Sequence, residues 1–245
     1  MTIFDLEPVA RQSTAELIAD RLRVAIMRGN LTAGSQLGEA DLAAKFQVSR
    51  GPVREAMQRL VSEGLLNSVR HRGIFVIELT IDDIEDVYHS RAAIERGALE
   101  RVLEGRRDVT AAALSSAVEA MRDAADRGDI PAVSDADQQF HETLVQSSGS
   151  ARLVRAARTL LIETRMCLGA LQSTYADIHE QVTEHDQLRE AIADGPPERA
   201  FKLLADHMDD AVTRLREQQA AEASAEAGPE AGPEAGPEAG PEAGG

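Results

Sequence analysis

The stretch Val48-Ser49-Arg50-Gly51-Pro52-Val53-Arg54-Glu55-Ala56-Met57-Gln58-Arg59-Leu60 decides the architecture of the first part of the chain. Val53, Ala56, Met57 and Leu60 recur at helical spacing, which predicts a helix from Arg50 to about Glu63 with one apolar side. Ser49 is placed as its N-cap. Pro52 falls in the first turn, where its missing N–H costs nothing, and Gly64 ends the helix. Arg50 and Arg54 are four residues apart, ~40° around the helix, and lie on the outer face. The small residues Ser49 and Gly51 let the helix N-terminus, with its free N–H groups, approach phosphate and sink into a major groove. A guanidinium there can bind guanine O6 and N7 together, worth ~1–3 kcal/mol of discrimination.

Working outward, residues 13–29 place Leu17, Ile18, Leu22, Ala25 and Ile26 on one helical stripe that stops at Gly29-Asn30. Leu31 to Ser35 reads as a turn. A short helix over about 39–46 turns Leu42, Ala43 and Phe46 inward, and Gln47-Val48-Ser49 breaks it. Downstream, Leu65–Val69 and Ile74–Leu79 read as two strands of a hairpin around Arg70-His71-Arg72-Gly73. Helix, tight turn, helix and hairpin make a winged helix-turn-helix over residues 1–79. The basic, glycine-containing tip (His71, Arg72 and Gly73) suits a wing that touches DNA backbone or minor groove. An ordinary surface helix pair with solvated arginines has the same composition, so the order of the residues carries this reading.

From Ile81 to Gln219 the periodicity is helical throughout, in stretches of about 81–104, 109–127, 130–147, 150–172, 175–194 and 197–219. Alanine and leucine dominate and there is no tryptophan. The fold class expected is therefore mainly α, with an antiparallel six-helix bundle over residues 80–219 behind the winged domain. The end of the chain, 220–245, reads as a disordered acidic tail. From Gly228 the unit Gly-Pro-Glu-Ala repeats, and a proline every fourth residue denies a helix its donors.

The net charge of −16 argues at first against a polyanionic partner. Its distribution reverses that conclusion. Residues 1–79 carry 10 Lys+Arg against 9 Asp+Glu, whereas the remainder carries 16 against 33. DNA association responds to the field within about a Debye length, ~8–10 Å, so the local block governs. A single cysteine, Cys167, offers neither an internal disulfide nor a thiolate zinc cluster. The first residues lack a basic and apolar leader, and no apolar run approaches the ~20 residues of a membrane span. A cytoplasmic protein with no membrane partner is expected.

Three of the six histidines have informative neighbours. Asp137-Gln138-Gln139-Phe140-His141 puts a carboxylate and an imidazole at i and i+4 on one helix face, His185 follows Glu184 on the fifth bundle helix, and His207 follows Asp206 on the sixth. Helical bundles build metal sites from such a pair completed by facing helices. Asp137 with His141, His185 and His207 would suit a divalent ion such as Zn²⁺, Ni²⁺, Mn²⁺ or Fe²⁺ rather than Ca²⁺. Spacing alone leaves their convergence open. His179, six residues before His185, should face elsewhere; His89 reads as solvated.

The segments Gly34-Ser35-Gln36-Leu37, Val48 to Ala56 and Glu63-Gly64-Leu65-Leu66 resemble the N-terminal domain of GntR-family transcription regulators. Residues 81–219 resemble the all-helical FCD-type effector domain of the FadR branch of that family. The matches are Arg91-Ala-Ala-Ile-Glu95, Asp137-x-x-Phe-His141-x-x-Leu144, Glu184-His185-x-x-Leu188 and His207-Met208; six helices point to the VanR-type subgroup. The resemblance implies that Arg50 and Arg54 contact operator DNA, that Gly73 lies against it, and that Asp137, His141, His185 and His207 hold a divalent metal. It also places Arg91 in the effector pocket, where a guanidinium fork can clamp a carboxylate. Arg165 could do the same or serve as a surface ion-pair partner. Ala40 stands where some members have a further arginine, and Gly195-Pro196-Pro197 where they more often have Gly-Asp.

The function these readings imply is a ligand-responsive regulator, most simply a repressor. It would bind a palindromic operator as a homodimer, under control of a small organic acid coordinated to the metal. A metal-responsive regulator, with the ion itself as effector, is the alternative. A metal-dependent hydrolase is a third, but no general base is tied to the motif and an enzyme has no need of residues 13–79.

Overall fold

A computed structural model describes residues 13–227 with the exception of 173. The extreme N-terminus and the Gly-Pro-Glu-Ala repeats, read above as leaderless start and acidic tail, lie outside the described residues.

Helix α1 (Thr14–Met27) opens with a capping box: the Ser13 hydroxyl accepts from the Glu16 N–H at 3.1 Å, and the Glu16 carboxylate accepts from the Ser13 N–H at 2.9 Å. It is followed by α2 (Glu39–Phe46) and α3 (Arg50–Ser62). Gln47 ends α2 in the left-handed conformation, which makes the turn to α3 tight. The hairpin is β2 (Leu66–Val69) and β3 (Gly73–Val76), paired antiparallel with Asn67 opposite Phe75. Ile18, Leu22 and Ile26 of α1 bury against Val53, Met57 and Leu60 of α3 and against Val76 of the sheet. These are the apolar stripes seen in the sequence, closed on one another.

One strand escaped the sequence reading. Gln36–Leu37 (β1) joins the hairpin on the β3 side, giving the antiparallel order β1-β3-β2. The Gln36 amide reaches across and donates to the Arg72 carbonyl at 2.7 Å. Gly73 has φ +117°, and a Cβ there would lie 2.5 Å from the Gln36 amide nitrogen. The wing glycine therefore has a reason within the fold, independent of DNA.

Six helices follow: α4 (Ile81–Leu103), α5 (Arg107–Asp126), α6 (Ile130–Ser147), α7 (Ala151–Gln172), α8 (His179–Asp194) and α9 (Pro197–Ala227). Their core is aliphatic, with Leu99, Leu114, Met121, Phe140, Leu144, Leu188 and Leu204 all buried. Two boundaries differ from expectation. The α8 helix begins at His179 rather than near 175, with Ile178 as its N-cap residue and the Asp177 carboxylate accepting from the His179 N–H at 2.9 Å. The α9 helix continues to Ala227, so residues 220–227 are helical and not part of a disordered tail. That segment is Ala- and Glu-rich, both strong helix formers, and the next proline after Pro197 is Pro229.

The two parts of the chain meet along α7. Ile162 is buried within the N-terminal core, Met166 packs on its edge, and Thr159 and Glu163 approach Gly64 at the end of α3.

Replacing Gly73 with alanine forces a side chain into a positive-φ position against Gln36. We expect a loss of about 1 kcal/mol or more in stability, measured by urea unfolding. An unchanged transition midpoint would show that the glycine is not needed by the fold.

Candidate functional site

Two groups of predicted residues are brought together, one at the N-terminus of α3 and one inside the bundle. At the first, Ser49, Arg50, Gly51 and Arg54 are all exposed, and Ser49 occupies the N-cap position as expected. Its side chain makes no capping hydrogen bond. Space around Gly51 is open. The Arg54 guanidinium is held side-on by Glu39 at 2.9 and 2.8 Å, a pairing the sequence reading did not anticipate. This fork pulls the Glu39 carboxyl below its ordinary pKa. With Arg54 64% exposed the pair is worth little, so an anion can compete for the guanidinium. Arg70, His71 and Arg72 form an exposed turn at the wing tip, with Arg72 stacked near the Phe75 ring.

Inside the bundle, Asp137 and His141 of α6, His185 of α8 and His207 of α9 each offer a ligand atom, and these atoms lie within 4.8 Å of one another. Asp137, His141 and His185 are at most 2% exposed. The three rings share a pattern. His141 Nδ1 lies 2.7 Å from the Glu95 carboxylate, His185 Nδ1 2.8 Å from the Gln181 carbonyl, and His207 Nδ1 3.2 Å from the Glu184 carboxylate. A carbonyl or an ionised carboxylate only accepts, so each Nδ1 carries a proton, and in the neutral imidazole each Nε2 then presents a lone pair.

Electrostatics agree with that assignment at His141; at His185 burial works against the charged form, but the Asp137 carboxylate and the Gln181 carbonyl raise the imidazole above its ordinary pKa. Burial pushes the His141 imidazole down to about 4 against the pull of Glu95, so it is neutral near pH 7. Burial also opposes ionisation of Glu95, but His141 and Arg91 hold it at about 2. Asp137 is likewise kept well below the usual carboxylate range: burial works against its charge and the neighbouring imidazoles outweigh it.

With the imidazoles neutral, the result is a pocket of lone pairs without protons to share. His141 Nε2 and His207 Nε2 stand 3.2 Å apart, and the buried His185 Nε2 has no hydrogen-bond partner although Asp137 Oδ1 is 3.2 Å away. Such a set is repulsive unless a cation sits among it. Ligands ~2.1 Å from one ion are themselves about 3 Å apart, so the spacing fits a divalent transition metal. The donor set, three imidazoles and a carboxylate, excludes a calcium-type oxygen cage.

Comparison with known proteins resolves the family. Residues 14–76 match the model of bacterial regulatory proteins of the gntR family, and residues 86–210 match the FCD domain. The chain belongs to the GntR family. The gluconate operon transcriptional repressor of Bacillus licheniformis is 30% identical over 214 residues, 85% of this chain and 88% of that protein. A Paenarthrobacter nicotinovorans protein named "Probable D-xylose utilization operon transcriptional repressor" is 30% identical over 200 residues, 82% of this chain and 88% of its own. A solved GntR-type transcriptional regulator from Rhodococcus sp. RHA1 superposes with a TM-score of 0.72 at 28% identity, covering 84% of this chain and 99% of its own. This GntR protein is accordingly a DNA-binding transcription regulator and not an enzyme. Among its described residues no helix is long and apolar enough to cross a membrane.

The two arginines expected in the effector pocket part company. Arg91 is 2% exposed; its Nε donates to Glu95 at 2.9 Å and its Nη1 to the Thr164 hydroxyl at 3.1 Å. Arg165 instead points away from the ion ligands. It is bound to Asp135 at 2.8 Å, to the Pro131 carbonyl at 3.3 Å and to the Met27 carbonyl at 3.4 Å. Its carboxylate-pairing role is filled within the chain, which corrects the pocket assignment. His179 faces Asp126 and Asp177 on the surface and His89 is exposed, as expected.

Sequence reasoning gave no role to Glu95, Gln181 or Glu184, which orient the ligands. Their spacing held a signal, since Glu95 falls one turn after Arg91 and Gln181 one turn before His185. Gln181 also donates to Asp137 Oδ1 at 2.9 Å.

Two outcomes test these assignments. Glu95→Gln leaves one acceptor oxygen where Arg91 and His141 each had their own, so the His141 tautomer is no longer fixed, and it should weaken divalent-ion affinity about 10–100-fold in chelator competition; unchanged affinity would dismiss Glu95 as an orienting group. Arg54→Ala should weaken operator binding by ~1–3 kcal/mol in fluorescence anisotropy with its circular dichroism intact. Wild-type affinity would move DNA reading away from α3.

Proposed function

We propose that this regulator represses transcription from a palindromic operator, which it binds as a homodimer in the cytoplasm, and that a small organic acid seated on a divalent ion in the bundle controls it. Residues 1–79 supply the reading head, with Arg50 and Arg54 on base edges and the wing residues His71, Arg72 and Gly73 at the DNA backbone or minor groove. Two such heads are needed because each offers few base contacts, and a two-fold protein suits a two-fold site.

The observation that carries the effector half is the convergence of Asp137 with the imidazoles of His141, His185 and His207 inside the bundle. Those four residues would hold the ion, which supplies a Lewis-acidic seat for a carboxylate oxygen. Arg91 supports an acidic ligand: its Nη2 is buried and has no hydrogen-bond partner, an uncommon state for a guanidinium inside a protein. The Gln181 Oε1 acceptor beside Asp137 is similarly unpartnered. An anion with a polar group nearby would satisfy both.

To switch the protein, the acid must favour one arrangement of the reading heads over another. Moving a population from 1:99 to 99:1 takes ~5.5 kcal/mol of differential affinity, within reach of a buried carboxylate that gains an ion and an arginine together.

His185→Ala should lower Zn²⁺ affinity at least ~10-fold and abolish thermal stabilisation by small carboxylic acids. The check is metal content together with a melting-temperature screen of acids against zinc-loaded wild type and variant. Full zinc occupancy in the variant would remove His185 from the site. Acid stabilisation that survives without metal would refute the ion-seated effector.

A further inference from the structure

The ion site and the reading head are joined by a short, directional set of contacts. On α6, Asp135 and Asp137 are two residues apart, ~200° around the helix, so they serve opposite faces. Asp137 faces the ion ligands. Asp135 faces the N-terminal domain, where one carboxylate oxygen takes the Arg165 fork at 3.2 and 2.8 Å and the other takes Arg28 Nη2 at 3.1 Å. On α7 the same division occurs between neighbours: Thr164 accepts from Arg91 inside the bundle, and Arg165 reaches outward.

The far end of these contacts is α1. Met27 is its last residue, and its carbonyl belongs to the negative end of the helix dipole, where the Arg165 guanidinium is favourably placed. Ile162 and Met166 add apolar contact with the same domain. Helix α1 in turn grips the reading helix at two points: Arg23 binds Glu63 just beyond the C-terminus of α3 at 2.7 Å, and Glu16 binds Arg59 at 3.2 Å. A displacement of α6 or α7 is thus delivered to α3 through α1, without a flexible linker between.

We propose that the Asp135–Arg165 pair, bridged to Arg28 and to the Met27 carbonyl, is the coupling element that carries occupancy of the ion site to the reading helix. The Arg165 guanidinium is only 6% exposed, so packing fixes its direction toward the half-exposed Asp135, whereas the Arg28–Asp135 bond is exposed on both sides and can part and re-form as the domains shift. Each ion pair alone is modest. The effect comes from one carboxylate tying two helices of the bundle to a third in the DNA-reading domain.

The inference rests on the ion site proposed above, and the test separates the two. Amide hydrogen exchange is followed on the full-length protein with Zn²⁺ and with the ion chelated. In wild type, Zn²⁺ should slow exchange in α6 and α8, which carry ligands, and also in α1. In Asp135→Asn and Arg165→Met the α6 and α8 response should persist while the α1 response is lost. Arg28→Gln, at an exposed position that leaves the bundle untouched, should reduce the α1 response in the same direction. An α1 response of equal size in wild type and all three variants would overturn the coupling, as would a wild-type α1 that ignores Zn²⁺ while α6 and α8 respond. No response anywhere in wild type would instead bring down the ion site, and the coupling with it.

Discussion

A carboxylate and three imidazoles cannot stay at the centre of an aliphatic bundle unless their charge and lone pairs are answered. Asp137 is ionised and 2% exposed among residues such as Phe140, Leu144 and Leu188. The desolvation cost of such a charge is several kcal/mol, far above what one neutral hydrogen bond from Gln181 returns, so the His185 imidazole 3.2 Å away must carry a proton or a cation must be present. Under the proposed function, a cation shared by Asp137 and the Nε2 atoms would provide that answer. Glu95, Glu184 and the Gln181 carbonyl serve the same end from outside, since by holding every Nδ1–H they leave every Nε2 free to point inward. The helices that pack around this centre are thereby fixed in rotation, not merely in contact.

That rotational constraint gives the fold its division of labour. The face of α6 that bears Asp137 and His141 cannot turn without also turning the face that bears Asp135, and Arg91 reaches across from α4 to Thr164 on α7. The DNA-reading domain has its own apolar core, yet Ile162 of α7 is buried in it. Charge is divided as well. Exposed Arg50, Arg54, Arg70 and Arg72 lie at the start of α3 and at the wing, and the acidic excess lies in the bundle and beyond, where it does not screen the reading surface at short range.

Much of this was legible in the sequence. The cap at Ser49, the proline at Pro52, the stop at Gly64 and the apolar stripes of α1 and α3 are local signals, and they placed the reading helix within a residue. The i, i+4 pair of Asp137 and His141 was equally local. What escaped depends on long-range contact. Strand β1 is only two residues, and its pairing with β3 bridges nearly forty positions of chain, so no periodicity could announce it. The destination of Arg165 is set by Asp135 and by a carbonyl of α1, neither of which sequence spacing relates to it. The start of α8 lies beside a local bond from the His179 N–H to Asp177, and the end of α9 falls in alanine-rich sequence that composition had assigned to the tail. Gly73, read as a DNA-facing residue, is explained by the approach of Gln36.

The most direct test of the account is X-ray absorption at the zinc edge on the full-length protein loaded with Zn²⁺. The account predicts a first shell of nitrogen and oxygen at ~2.0–2.1 Å with the outer-shell scattering of several imidazoles, lost when His141 and His207 are replaced together. A shell containing sulfur from Cys167, or one of water alone, would contradict it.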